Sequence, residues 1–110
     1  MKILVELPSW IGDTVMATPA IENLIRSHNK DQIFLVGSEI SIEVLKNHPK
    51  ISKTYTLDRK YSSIFVLLRK FDKFDKFFTF RNSFRSNLFK LFINSNHKFT
   101  YKNNKFKEIH

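Results

Sequence analysis

The chain opens with Lys2-Ile3-Leu4-Val5-Glu6-Leu7, a short apolar run that ends at Pro8. Such a run is typical of a buried strand, and proline closes it because its nitrogen carries no hydrogen for a neighbouring strand. After Gly12, apolar residues recur at helical spacing from Asp13 to about Ser27. The opening therefore predicts a strand, a loop and a helix.

Pro19 interrupts the predicted helix, because it lacks the amide that would bond to the carbonyl oxygen of Val15. We expect either a kink at this point or a helix that restarts, with Thr18 as its cap and Pro19 at its first position.

The strand and helix pattern recurs along the rest of the chain. It predicts further strands at Gln32–Val36, Ile51–Leu57, Lys76–Phe80 and His97–Tyr101, and helices at Ser38–Asn47, Tyr61–Phe71 and Ser83–Phe92. This alternation predicts an α/β fold, a parallel sheet covered by helices on both sides. We expect a Rossmann-like domain over residues 1–101 and a loose, basic tail over residues 102–110. A complete domain of this kind normally continues with another helix and strand, so we expect a truncated one.

The composition restricts the function classes only in part. The net charge of +9 favours polyanionic partners such as nucleic acid, anionic membrane or phosphorylated glycolipid, although abundant Lys, Asn, Ile and Phe are also expected from an AT-rich coding sequence. No cysteine is present, which excludes disulfides, thiolate metal sites and a cysteine nucleophile. The four histidines lack metal-ligand spacing, so no metal site is predicted.

The same sequence contains no apolar run of the ~18 residues needed to cross a bilayer and no signal peptide. We therefore expect a cytoplasmic protein.

The chemistry is expected at the carboxyl ends of the strands, where open parallel sheets bind ligands. Residues 8–13 follow the first strand there, but with only Gly12 and Gly37 the chain cannot build a dinucleotide-binding or Walker glycine loop. Gly12 lets a ligand approach the backbone, and Asp13 is expected at a helix start, where free amides stabilise a carboxylate. From the residues alone, a helix cap is the more common role for an aspartate at a helix start, and the two roles do not exclude each other.

Two stretches resemble the ADP-heptose:lipopolysaccharide heptosyltransferases. The first is Lys2-Ile3-Leu4-Val5 with Pro8-Ser9-Trp10-Ile11-Gly12-Asp13-Thr14-Val15-Met16-Ala17-Thr18-Pro19-Ala20, and the second is Asn82-Ser83-Phe84-Arg85-Ser86. Within the family the opening is more similar to heptosyltransferase II than to heptosyltransferase I.

The resemblance implies a glycosyltransferase of the two-domain B type (GT-B), whose Rossmann-like N-terminal domain holds the acceptor. The donor-binding C-terminal domain would be absent from this chain, so we expect the isolated chain to be inactive. Asp13 would act as general base when a heptose is transferred, with inversion, from ADP-heptose to an inner-core heptose of lipopolysaccharide. The residues expected to contact the acceptor are Ser9, Trp10, Gly12, Arg81, Asn82, Ser83 and Arg85. No cofactor is implied, and peripheral contact with the anionic inner membrane is compatible with the charge.

The sequence allows more than one role for several residues and for the whole chain. Arg81 and Arg85 suit acceptor phosphates or carboxylates but also fit a solvated basic loop, and Trp10 suits sugar stacking or the core. Glu6 departs from the family pattern, and it is expected only to pair with a lysine. The alternative function is a small basic module that binds nucleic acid or anionic membrane without catalysis. The phenylalanines in Phe71–Phe78 would then stack bases, whereas core packing is the preferred interpretation.

Overall fold

The computed structural model describes residues 2–8, 10–56, 73–80, 93–102 and 105–108. Within these ranges the chain forms six strands and two helices. In chain order they are β1 (Lys2–Glu6), α1 (Ile11–Ser27), β2 (Gln32–Gly37), α2 (Glu39–Leu45), β3 (Ile51–Thr56), β4 (Phe74–Thr79), β5 (Ser95–Lys102) and β6 (Lys105–Glu108). No described helix is long and apolar enough to cross a membrane.

The six strands form one sheet in the order β3-β2-β1-β4-β5-β6. Strands β1 to β5 are parallel, and β6 alone runs antiparallel to its neighbour β5. The chain moves from β1 to one side of the sheet and returns to the other side with β4, so the strand order reverses between β1 and β4. At such a switch point the carboxyl ends of the strands leave a crevice. The predicted Rossmann-like α/β fold is confirmed.

Both faces of the sheet are buried in its centre. Ile3 and Val5 of β1 lie on the face that packs against α1 and α2, where Ile21 is also fully buried. Leu4 and Phe77 are fully buried on the opposite face. Because neither face of β1 meets water, its residues are apolar at successive positions, which explains the continuous run in the sequence.

Helix α1 is continuous through Pro19. The predicted restart at Thr18 is therefore wrong. The hydroxyl of Thr18 instead donates to the carbonyl oxygen of Thr14 at 3.2 Å, one turn earlier. Pro19 lies on the exposed side of α1, where water can solvate the Val15 carbonyl that lacks an amide partner.

Part of the predicted loose tail, residues 105–108, has regular structure. Residues 105–108 form β6, and their register pairs Phe106 with Tyr101 and Lys105 with Lys102. Phe106 packs edge-to-face on Phe78 at 4.9 Å between ring centroids. One aromatic side chain therefore anchors a segment whose composition is otherwise polar.

The phenylalanines of β4 fill the core. Phe74, Phe77 and Phe78 are all buried, which confirms the preferred interpretation for the described part of the aromatic, lysine-rich stretch. Side chains in these positions cannot stack on nucleic acid bases. The helices predicted at Tyr61–Phe71 and Ser83–Phe92 lie outside the described residues.

Candidate functional site

The first strand ends at the carboxyl edge of the sheet, where the reversal of strand order is expected to leave a crevice. Beyond β1, the amide of Leu7 still donates to the carbonyl oxygen of Val36 at 2.9 Å, so the chain stays parallel to β2 for one more residue. Leu7 and Pro8 are both buried, and Trp10 follows as the N-cap residue of α1. The loop between β1 and α1 is thus short and held from its first residue.

Trp10 projects from this loop into solvent. Its backbone is extended, its carbonyl oxygen accepts the first helical hydrogen bond from the amide of Thr14 at 3.0 Å, and 67% of the residue is exposed. The alternative that Trp10 belongs to the core is wrong. An exposed indole beside the crevice is available for stacking on a sugar ring.

Asp13 is the third residue of α1 and is exposed. The predicted position at a helix start is confirmed, whereas the cap interpretation is wrong because Trp10 occupies that position. The first turn carries free backbone amides and the positive end of the helix dipole, which stabilise a carboxylate. Asp13 is therefore a negatively charged group that faces solvent next to the crevice.

Gly12 leaves space beside Asp13. A Cβ built on Gly12 would meet nothing within 4 Å among its surroundings. Packing inside the described part of the chain therefore does not require a glycine, and the open space permits a ligand to approach the start of α1.

A group of buried hydroxyls lies beneath the loop. Thr14 and Ser41 are fully buried, and their side-chain oxygens are 3.0 Å apart although 27 positions separate them in the chain. Ser41 donates to the carbonyl oxygen of Pro8. Neither hydroxyl was singled out from the sequence, because a threonine and a serine near helix starts are common and their meeting depends on how α1 packs on α2.

A buried carboxyl group marks the ends of the two central strands. Glu6 and Thr79 are fully buried and adjacent in register on β1 and β4. Thr79 Oγ1 donates to Glu6 Oε1 at 2.6 Å. The expectation that Glu6 only pairs with a lysine missed this hydroxyl partner, which lies 73 positions away.

Five of the predicted acceptor-contact residues lie outside the described residues, namely Ser9, Arg81, Asn82, Ser83 and Arg85. One described range ends at Phe80, just before four of them. The amide of Phe80 donates to the carbonyl oxygen of Glu6 at 3.1 Å. The described neighbour of Arg81 thus lies at the end of β1.

Three histidines have protein partners. The Nδ1 of His28, at the end of α1, lies 2.9 Å from the carbonyl oxygen of Leu24 and donates a hydrogen bond to it. His48 lies 2.8 Å from a carboxylate oxygen of Glu22. His97 lies 2.6 Å from a carboxylate oxygen of Glu108. Among the residues that the structure describes, no three His, Asp or Glu side chains are grouped as a metal site would require.

The chain is similar in sequence to several known proteins. No protein-family model matches the chain. Lipooligosaccharide heptosyltransferase 2 of Campylobacter jejuni serotype O:2 is 38% identical over 113 aligned positions, which cover all of this chain and 35% of that protein. The serotype O:6 protein of the same name is 31% identical with the same coverage.

The chain is homologous to the lipooligosaccharide heptosyltransferases. It spans about a third of the length of these relatives and corresponds to their N-terminal part. The resemblance seen in residues 2–20 is thereby confirmed.

Solved structures agree with this relationship. The Escherichia coli ADP-heptose LPS heptosyltransferase II superimposes with a TM-score of 0.71 at 25% identity, covering 91% of this chain and 30% of that one. A glycosyl transferase family 9 protein from Veillonella parvula superimposes with a TM-score of 0.80 at 20% identity, covering 88% and 30% of the two chains. The second match, at its lower identity, supports the GT-B-like fold.

Proposed function

We propose that this chain is the acceptor-side domain of a heptosyltransferase of lipopolysaccharide inner-core synthesis. The observation that carries the proposal is the position of Asp13, an exposed carboxylate in the first turn of α1 beside the switch-point crevice. Its support is the 38% identity with a heptosyltransferase 2 across the whole chain.

In the proposed reaction, a hydroxyl oxygen of the acceptor heptose attacks the anomeric carbon of ADP-heptose. The new glycosidic bond forms as the bond from that carbon to the diphosphate oxygen breaks, so ADP leaves and the configuration inverts. Asp13 takes the hydroxyl proton. A positioned general base of this kind contributes on the order of 10²- to 10⁴-fold to the rate.

The acceptor is proposed to lie along the edge that carries Trp10 and Gly12. The indole would stack on a sugar ring and the open space at Gly12 would admit it. Ser9, Asn82 and Ser83 would supply hydrogen bonds, and the guanidinium groups of Arg81 and Arg85 would hold acceptor phosphates or carboxylates, because their planar forks suit such anions. The proposed acceptor contacts are therefore Ser9, Trp10, Gly12, Arg81, Asn82, Ser83 and Arg85.

The donor is proposed to bind outside this chain. The relatives are about three times as long, and ADP-heptose would contact the part of such a protein that this chain does not cover. The net charge of +9 would support peripheral contact with the cytoplasmic face of an anionic inner membrane, where the lipid-linked acceptor is presented.

A chimera tests the proposal. This chain would replace the matched third of the 38% identical C. jejuni protein, and mass spectrometry would follow heptose transfer from ADP-heptose to an inner-core acceptor. We expect transfer by the chimera and a loss of about 100-fold or more in kcat for Asp13→Asn, because only the proton acceptor is removed.

Glu39→Gln is the matched control, since Glu39 is an exposed carboxylate in the first turn of the other described helix, α2. Its kcat should stay within about twofold of the unsubstituted chimera, because Glu39 is exposed and has no role in the proposed reaction. Full activity of Asp13→Asn would refute the general-base assignment. A folded chimera without transfer, together with no acceptor binding by the 110-residue chain, would refute the acceptor-domain proposal.

A further inference from the structure

We propose that Thr14 and Ser41 are positioning residues that hold the carbonyl groups of Pro8 and Trp10 in the first loop, and with them Asp13, in the orientation that the acceptor needs. The inference rests on the proposed function for its catalytic meaning. Both side chains are fully buried, so neither touches an acceptor, and both would act through the loop.

The Pro8 carbonyl group is the centre of the arrangement. It lies in the buried segment just beyond β1, where a carbonyl oxygen needs a hydrogen-bond donor. Ser41 donates to this oxygen from α2, and Thr14 Oγ1 approaches it to 3.3 Å from α1. Beyond the end of β1, side chains from two different helices thus take the place of a backbone amide from a neighbouring strand.

The number of hydrogens fixes the direction of these bonds. Each hydroxyl has one hydrogen to donate. Because Ser41 uses its hydrogen for Pro8, it accepts from its neighbours, and both Thr14 Oγ1 and Ser38 Oγ lie 3.0 Å away. The hydroxyl of Thr14 also lies 2.9 Å from the carbonyl oxygen of Trp10, so its single hydrogen is shared between the loop and α2.

Ser38 extends the arrangement to the start of α2. Its side chain is the N-cap of that helix and accepts from the amide of Ser41 at 3.3 Å. Gly37, the residue before it, approaches the first loop so closely that an added Cβ would lie 3.1 Å from the Cβ of Leu7. The loops that follow β1 and β2 therefore press together, and the three hydroxyls set their relative position.

The two hydroxyls affect the position of Asp13, the proposed base, through the backbone. Thr14 directly follows Asp13, and both its amide and its hydroxyl bond to the carbonyl oxygen of Trp10. Loss of the Ser41 hydroxyl would remove the donor to the Pro8 carbonyl, and loss of the Thr14 hydroxyl would remove its bonds to the Trp10 carbonyl and to Ser41. Either loss would allow the turn to shift. Catalytic groups that are misplaced by ~1 Å can lose on the order of 10²-fold in rate.

Trp10 provides a readout that needs no activity. It is the only tryptophan in the chain and it caps α1. In the 110-residue protein, we expect Ser41→Ala and Thr14→Val to increase fast indole motion, measured by time-resolved fluorescence anisotropy and by relaxation of the single indole N–H resonance. Thr14→Ser keeps the hydroxyl and should restore the unsubstituted value.

Ser27→Ala is the matched control. Ser27 lies on the same helix and its hydroxyl also donates to a backbone oxygen, that of Asn23 at 3.0 Å, but it is exposed and at the far end of α1. It should leave the indole signal unchanged. Circular dichroism and melting confirm that each compared variant is folded. Indole motion in folded Ser41→Ala and Thr14→Val equal to that of the unsubstituted protein would overturn the proposal.

The chimera with the C. jejuni relative tests the catalytic meaning. For Ser41→Ala we expect kcat to fall by about tenfold or more, as misplacement predicts. Thr14→Ser and Ser27→Ala should stay near the unsubstituted value. A loosened loop with unchanged kcat would overturn the positioning role. If the folded, unsubstituted chimera transfers no heptose and the 110-residue chain binds no acceptor, the proposed function fails. The indole measurement then still tests whether the hydroxyls hold the loop.

Discussion

Glu6 and Thr79 meet at the ends of the two central strands, and the burial of the carboxyl group makes their contact important for stability. A buried carboxyl group is costly unless hydrogen bonds replace those it made to water. Thr79 Oγ1 provides one such bond at 2.6 Å. Thr79 therefore links β4 to β1 by a side chain at the edge where the crevice begins.

Thr79→Val removes this donor while keeping the branched shape of the side chain. We expect the free energy of unfolding to fall by about 1–3 kcal/mol, the range for a lost hydrogen bond that leaves a buried polar group behind. Urea denaturation followed by circular dichroism measures the change. Thr56→Val, at the exposed end of β3, is the control and should change stability by less than about 0.5 kcal/mol. Equal effects of the two substitutions would contradict the role given to Thr79.

At the scale of elements, β6 packs against its neighbouring strands through one aromatic side chain, that of Phe106. Phe106 lies 5.2 Å from Phe80 and 5.0 Å from Tyr101 between ring centroids, in addition to its contact with Phe78. A single apolar residue among polar neighbours produces no periodic pattern, so the sequence did not predict β6. The partners that hold it belong to β4 and β5, and only the packed sheet brings them together.

Phe106→Ala tests whether this packing stabilises the fold. Because Phe106 is half-buried, we expect a loss of about 1–3 kcal/mol in the free energy of unfolding, below the range for a fully buried phenylalanine. Amide exchange at residues 105–108 should also accelerate. Lys107→Ala, an exposed change on the same strand, should alter neither measurement. An unchanged stability for Phe106→Ala would mean that the tail is loose after all.

At the scale of the whole molecule, the net positive charge is a property of the entire chain and not of one binding site. The excess of 19 basic over 10 acidic side chains attracts anionic surfaces of many kinds. Since the phenylalanines of β4 are buried, the molecule lacks the exposed aromatic stack there that would favour single-stranded nucleic acid. The charge therefore complements the proposed acceptor chemistry and does not identify a partner by itself.

Vesicle binding measures this property. We expect the chain to sediment with phosphatidylglycerol vesicles at low salt and to be released near 1 M salt, where the Debye length falls to about 3 Å. Phosphatidylcholine vesicles should not bind it under either condition. Binding that survives 1 M salt would contradict a purely electrostatic contact, and no binding at low salt would contradict peripheral membrane contact.

The sequence by itself determined the alternation of strands and helices, because hydrophobic periodicity depends on near neighbours along the chain. It also located Trp10, Gly12 and Asp13 after the first strand, since ligand sites follow the carboxyl ends of parallel strands. The extent of α1 was less predictable, because the exposed side of a helix tolerates Pro19 and only packing shows which side is exposed.

The tertiary structure alone decided which distant polar groups meet. Thr14 with Ser41 and Glu6 with Thr79 are pairs separated by 27 and 73 positions. No local pattern marks such pairs, since each depends on the register of neighbouring strands or on how α1 packs against α2. The same packing left Trp10 exposed, a result that its apolar character did not predict. The sequence thus identifies the motif of Trp10, Gly12 and Asp13. Its orientation depends on buried hydrogen bonds that form only when the helices and strands have packed together.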